Sequence, residues 1–156
     1  MIMVLTCFVI IKIFLIIAAR GEIKMEMEIS FPGGKRVDSH FKGFTVRTDQ
    51  HEKAGGDGTS PSPTELFLAS IGTCAGYFAL IFCDKRKLDT TGLKIDVDFQ
   101  ANRKTFMIEK IVMKIHLPDN FPDKYTEALI KAIDLCHVKK HFSQPPEFEY
   151  LTFETT

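Results

Sequence analysis

The chain has no surplus of charge of either sign. Twenty basic residues balance twenty acidic ones in 156, so no basic footprint calls for nucleic acid or an anionic membrane surface. Tryptophan is missing as well, and the fourteen phenylalanines speak for aromatic packing without deciding any chemistry. No internal repeat, low-complexity tract or linker interrupts residues 21–156, and a chain of this length defaults to one domain. What is present is ordinary globular usage, 45% apolar and 26% charged, at a size where about 68–70% of the unfolded surface becomes buried.

The first twenty residues are a separate matter. They are almost wholly apolar, broken by Thr6 and Lys12 and followed by Arg20-Gly21. The basic start of a secretory signal is missing, Lys12 sits inside the apolar stretch, and only Ala18-Ala19 resembles a cleavage site. Three readings of residues 1–21 stay open: a signal, a membrane anchor of about 20 apolar residues, or an upstream mis-start with translation from Met25 or Met27. N-terminal sequencing of protein made from the native gene separates them. A single domain is expected over residues 22–156.

Residues 25–31 alternate apolar and polar side chains, the pattern of a half-buried strand, and Pro32-Gly33-Gly34 is strong turn chemistry. Residues 35–40 and 44–49 continue as a meander around Lys42-Gly43, and glycines and prolines mark residues 51–63 as an irregular loop. A long helix is predicted from Pro63 to about Lys87, capped by Ser62 or Ser60. Residues 93–101 form the clearest strand. Residues 106–117 form the next, joined through a hairpin at residues 102–105. In this strand Phe106 and Ile108 share one parity and Ile111, Met113, Ile115 and Leu117 the other, which predicts a β-bulge near Glu109-Lys110. A second helix opens at Phe121-Pro122 with Tyr125, Leu129, Ile130, Ile133 and Leu135 on one side, and a final strand is expected over residues 147–153.

The long helix has two readings. No charged residue occurs between Leu66 and Cys83, a length that can cross a membrane, and Gly72 and Gly76 have the spacing of membrane helix contacts. The other reading is a helix buried on all sides in a soluble core, often at a dimer interface. The flanking alternating strands require such a core, and Ser70, Thr73 and Cys74 dilute the apolar character, which favours burial.

Cys74 lies near the middle of this helix. Most buried cysteines are inert small hydrophobes. Cys83 is read that way, because nine helical residues rise about 13.5 Å and turn to the opposite side, too far for a disulfide to Cys74. Cys7 falls in the leader, which leaves Cys136, at the end of the second helix, as the remaining candidate partner. Cys136, His137 and His141 also offer three potential zinc ligands in six residues. Structural zinc sites usually carry a second paired-ligand cluster, and none occurs here, so both histidines are read as exposed or near the negative end of the second helix.

The segment Ser62-Pro63-Thr64-Glu65-Leu66-Phe67-Leu68-Ala69-Ser70-Ile71-Gly72-Thr73-Cys74 resembles the (N/S)-P-x-E-L-…-C stretch that opens the central helix of the OsmC/Ohr family. Cys136-His137-Val138-Lys139-Lys140-His141-Phe142 is similar to that family's second-cysteine segment, and the spacing and element order agree from about Glu22 to Thr156. The resemblance implies an α+β fold in which an antiparallel sheet wraps a long central helix beside a second helix. It implies an intertwined homodimer with active sites at the dimer interface, in the cytoplasm. It also implies reduction of organic hydroperoxides or hydrogen peroxide: the Cys74 thiolate attacks the O–O bond, the sulfenic acid condenses with Cys136, and an external dithiol reopens the disulfide. The cycle requires no metal and no organic cofactor.

Burial raises a thiol's pKa, and the helix dipole acts mainly in the first turn, so a cation has to approach Cys74 from elsewhere. The family uses an arginine of the N-terminal β region held by a glutamate; Gly33-Gly34-Lys35-Arg36 resembles that stretch, making Arg36 the candidate and Arg47 the reserve. The chain departs from the peroxidase pattern at Thr64, where the glutamate is expected. Glu65 follows one position later, as in branches of undefined substrate. One residue turns a helical side chain by about 100°, so Glu65 either meets that arginine or stabilises the helix N-terminus. The alternative to a peroxidase is a noncatalytic protein of the same fold that binds a hydrophobic ligand or partner in the dimer groove.

Overall fold

A computed structural model describes residues 25–154; the leader, with Cys7, lies outside the described residues. The chain falls into two units, one up to Pro61 and one from Ser62 onwards.

The first unit is a meander of β1 (Glu28–Gly33), β2 (Arg36–Phe41) and β3 (Phe44–Thr48), antiparallel in that order. Phe41 pairs with Phe44 across a two-residue turn in which Lys42 and Gly43 both have positive φ, 48° and 80°, the twist that suits a tight hairpin. Between Ser30 and Gly33 the register of β1 slips by one residue. Pro32 lies in that bulge on the edge strand, where its missing N–H costs no ladder bond.

After β3 the chain closes around Asp49, whose carboxylate is buried and accepts hydrogen bonds from the backbone N–H groups of Gln50, Asp57 and Thr59 and from the Thr59 hydroxyl. A Cβ at Gly56 would stand 1.9 Å from the Gln50 carbonyl oxygen, so only glycine fits there. The Thr59 N–H is the largest influence holding the Asp49 carboxyl below the ordinary carboxylate range; burial opposes it, and the remaining donors reinforce it. A depressed carboxyl stabilises the fold above its unfolded pKa and loses that contribution as pH falls through the folded value. Asp49→Asn is therefore expected to lower the urea midpoint at neutral pH and to flatten its acid dependence below about pH 4. A parallel acid limb in wild type and variant would refute the role.

The second unit begins with α1 (Pro63–Asp84). Its start is a reciprocal capping box: the Ser62 hydroxyl oxygen accepts from the Glu65 N–H, and the Glu65 carboxylate accepts from the Ser62 N–H at 2.7 Å. Ser62→Ala removes this cap and is expected to cost about 0.5–2 kcal/mol in urea unfolding. The helix stops at Asp84, three residues before the predicted end. Arg86 turns back there to lay its guanidinium 3.8 Å from the Phe82 ring centre.

A hairpin follows, β4 (Lys94–Ala101) and β5 (Ile108–His116). Gln100 faces Lys110 and Ala101 faces Ile108, so Glu109 is the extra residue of a bulge, where the parity change predicted one. The second predicted helix is shorter than expected, and a further helix follows it. A 3-10 turn at Asp123–Tyr125 leads into α2 (Thr126–Ile133), and a separate helix α3 (His137–Ser143) follows. Leu129 and Ile133 of α2 are buried, whereas Ile130 and Leu135 are about half exposed.

The core of this unit joins Ala75, Ala79, Phe82 and Cys83 of α1 to Leu129 and Ile133 of α2, with Ile95, Met113 and Ile115 of the hairpin packed against it. Among the described residues α1 alone is long and apolar enough to cross a membrane. Its buried residues form one stripe, and Tyr77 and Leu80 on the other side are exposed. Burial on all sides, expected from the uncharged sequence, is thus reached on one face only within a single chain. The final strand expected over residues 147–153 does not form: the segment is irregular and Phe148, Tyr150, Leu151 and Phe153 are exposed. Alternation specifies which side of a strand is apolar but supplies no edge for its N–H and C=O groups to pair with.

Candidate active site: two thiols in contact

Cys74 is set by α1. It precedes buried Ala75, at the margin of the core stripe, and is itself only partly buried. Cys136 is set by the break between α2 and α3. The last turn of α2 closes with the Leu135 N–H donating to the Ala132 carbonyl and the Cys136 N–H to Ile133. Cys136 then leaves helical geometry (φ −47°, ψ 120°) to become the N-cap of α3, its sulfur accepting from the Lys139 N–H at 3.5 Å. It is 1% exposed. Cys136 therefore opens a new helix, where the sequence reading had it closing the second one.

This break brings the two thiols together. Both are free thiols, and they lie near enough for each to shift the ionisation of the other. Burial pushes the Cys74 thiol up, but the hydrogen bond from Cys136 and the backbone N–H groups of Val138 and His137 outweigh it and hold the thiol below its ordinary value. Cys136 moves the other way: burial, the hydrogen bond it gives to Cys74 and the nearby thiolate charge push it up. Cys74 is thus the more readily ionised of the two thiols and Cys136 the one that keeps its proton longer, an asymmetry that suits one for attack and the other for later resolution. Cys83 is buried in the core, raised first by burial and then by Asp84.

At neutral pH iodoacetamide is expected to label Cys74 first and Cys83 least. Cys136→Ala, which removes a donor to the thiolate, should slow Cys74 labelling severalfold. Equal rates for all three thiols in the wild-type protein would contradict this ordering.

Two ring contacts flank the pair. His137 stacks on Phe78 with centroids 5.6 Å apart, and Phe142 meets Phe67 at 5.7 Å. Beside Cys136 lies a cavity of about 790 Å³, floored by Leu68, Ile71, Ile111 and Met113 and rimmed by Lys139 and Lys140. Among the described residues no cluster of three His, Cys, Asp or Glu side chains is arranged to hold a metal ion.

The other predicted site residues are placed differently. Glu65 is engaged in the capping box of α1. Arg36 belongs to the first unit, its Nε donating to the Gly33 carbonyl at 3.2 Å, and with Arg47 it lines one pocket of about 380 Å³ there. The sequence reading missed the backbone donors of His137 and Val138, because it ended the second helix at Cys136 and placed no helix start there. The signal lay in residues 134–136, where the apolar stripe of α2 ends and the exposed Leu135 falls out of phase.

The chain is an α+β protein with one free thiol on its long helix and a second at the N-cap of a short one. The family model for OsmC-like protein matches residues 56–150, and the chain belongs to that family. Solved structures agree in fold. A Psychrobacter arcticus protein named for osmotic stress induction and a detoxification response superposes with a TM-score of 0.66 at 18% identity, covering 78% of this chain and 90% of the other. A hypothetical protein from Aquifex aeolicus gives 0.58 at 19% identity, with 80% and 90% covered. An organic hydroperoxide resistance protein OsmC from Legionella pneumophila, described as a predicted redox protein and regulator of sulfide bond formation, gives 0.51 at 14%, with 79% and 91% covered. No curated protein sequence matches the chain.

Proposed function

We propose that the chain is a thiol-dependent peroxidase that reduces organic hydroperoxides or hydrogen peroxide. The observation that carries this reading is the contact between the lowered Cys74 thiol and the raised Cys136 thiol. The Cys74 thiolate attacks one peroxide oxygen; the O–O bond breaks, the leaving oxygen departs as alcohol or water after taking a proton, and Cys74 becomes a sulfenic acid. The Cys136 thiol attacks that sulfur, expelling water and forming the Cys74–Cys136 disulfide, which an external dithiol reduces by exchange. Arg36, with Arg47 in reserve, is the cation assigned to the thiolate, and Glu65 its prospective partner.

The working form is taken as a homodimer in the cytoplasm. The exposed Tyr77 and Leu80 on α1 and the exposed apolar side chains of residues 148–153 support a second copy covering them. Treatment with one equivalent of cumene hydroperoxide, followed by mass spectrometry, tests the chemistry. A Cys74–Cys136 link is expected; a protein recovered with all thiols free after exposure to several peroxides rejects the enzyme.

The apolar cavity beside Cys136 favours a second reading, a noncatalytic protein of this fold that binds a hydrophobic ligand or partner. Ligand-dependent thermal stabilisation that survives Cys74→Ser, together with unreactive thiols, is its signature.

A further inference from the structure

We propose that His137 and Phe142 are positioning residues whose ring contacts to α1 set how readily the Cys74–Cys136 disulfide forms, an inference that rests on reading these two cysteines as a redox pair. Phe67, Cys74 and Phe78 are spaced by seven and four residues, so they lie on one stripe of α1 within about 40° of one another. Each meets a residue of the α3 segment: Phe67 meets Phe142, Cys74 meets Cys136, and Phe78 meets His137. The sulfur contact therefore sits between two ring contacts made by the same two elements.

Beyond these contacts, a surface ion pair between Lys139 and Asp134 ties α3 to the end of α2. Helix α3 is seven residues long and buries none of its side chains, and a helix that short is not stable alone. Cys136 caps it with the very sulfur that the disulfide consumes. A thiol on a loose segment explores space away from its target, whereas one on a docked segment is present at high effective concentration. The rings perform that docking. His137 serves through its flat face, tilted 30° to Phe78, and not through proton transfer.

The test uses the full chain equilibrated with reduced and oxidised glutathione. Two protein thiols and one glutathione disulfide exchange to give the Cys74–Cys136 disulfide and two reduced glutathione molecules, so electrons balance without any peroxide. Acid quenching, alkylation and intact mass give the oxidised fraction at each ratio. His137→Ala and Phe142→Ala are each expected to lower the effective concentration of the pair by about two- to tenfold, the worth of one aromatic contact. His137→Phe, which keeps a ring on Phe78, is expected to restore the wild-type curve.

An unchanged curve in both alanine variants, a His137→Phe curve as shifted as that of His137→Ala, or a pair that stays reduced at every ratio overturns the proposal. Both side chains are exposed, so the variants should fold, as circular dichroism will show. If His137→Ala unfolds, Phe78→Leu reads the same contact from α1, with the same expected shift. Inertness to peroxide with normal glutathione curves rejects the peroxidase alone; full peroxide turnover with unshifted variant curves rejects the positioning role alone.

Discussion

Cys74→Ser is expected to reduce peroxide turnover to the uncatalysed background, a loss on the order of a thousandfold or more, since removing a nucleophile removes the covalent path itself. A serine hydroxyl in the same place is not ionised near neutral pH and has no comparable reactivity toward an O–O bond. Cys136→Ser should behave differently. Its hydroxyl can still donate to the Cys74 thiolate, so the first oxidation proceeds, but the sulfenic acid lacks its resolving thiol and one equivalent of peroxide is consumed before higher oxidation intervenes.

The pH dependence follows from the directions of the two shifts. A lowered Cys74 pKa keeps the thiolate populated at pH values where an ordinary thiol is already protonated, so the wild-type rate falls only as pH drops through that lowered value. Cys136→Ala removes a donor and should move the acid limb toward higher pH. Dithiol-coupled turnover measures the wild type and Cys74→Ser across the pH range, and the rate of the first peroxide equivalent consumed measures the Cys136 variants. Retained turnover in Cys74→Ser would sink the proposed chemistry outright.

Leu129→Ala is expected to destabilise the protein by about 2–5 kcal/mol, the usual cost of emptying a sealed core site. Leu129 is 0% exposed and packs with Ala75, Ala79, Phe82 and Cys83. The small side chains of Ala75 and Ala79 let α2 approach α1 closely, and Leu129 fills the space between them. Against a typical stability of about 5–15 kcal/mol, this loss is large. It also bears on the site. Cys136 follows α2 by three residues, so a loosened α2 should weaken the thiol contact and slow Cys74 alkylation in step with the loss of stability. Urea unfolding and iodoacetamide labelling of the same sample check both. A midpoint change worth less than about 1 kcal/mol would show that the site collapses freely, with α2 held by other contacts.

Much of the architecture was legible in the residues, because local chemistry dictates it. Lys42-Gly43 at the turn, Ser62-Pro63 with Glu65 at the start of α1 and the parity slip at Glu109 each constrain a few neighbouring backbone angles, and each element formed there. Cys83 was assignable to the core from its helical angle relative to Cys74, and it is fully buried. The extent of α1 burial was not legible. An uncharged helix reads as apolar on every side, yet a single chain has elements enough to cover one stripe. Residues 147–153 fail for a similar reason, since a strand pattern does not name its neighbour.

The sequence by itself determined which thiol lies in mid-helix and which lies at the end of the second helical pattern. Tertiary structure alone decided that α2 ends early and that Cys136 caps a separate helix. It also decided that the backbone N–H groups of His137 and Val138 face Cys74. The physical reason is distance along the chain: helical periodicity reports neighbours three or four residues away. Cys74 and Cys136 meet only because packing of α2 on α1, through Leu129 and Ile133, brings the end of one helix to the middle of another.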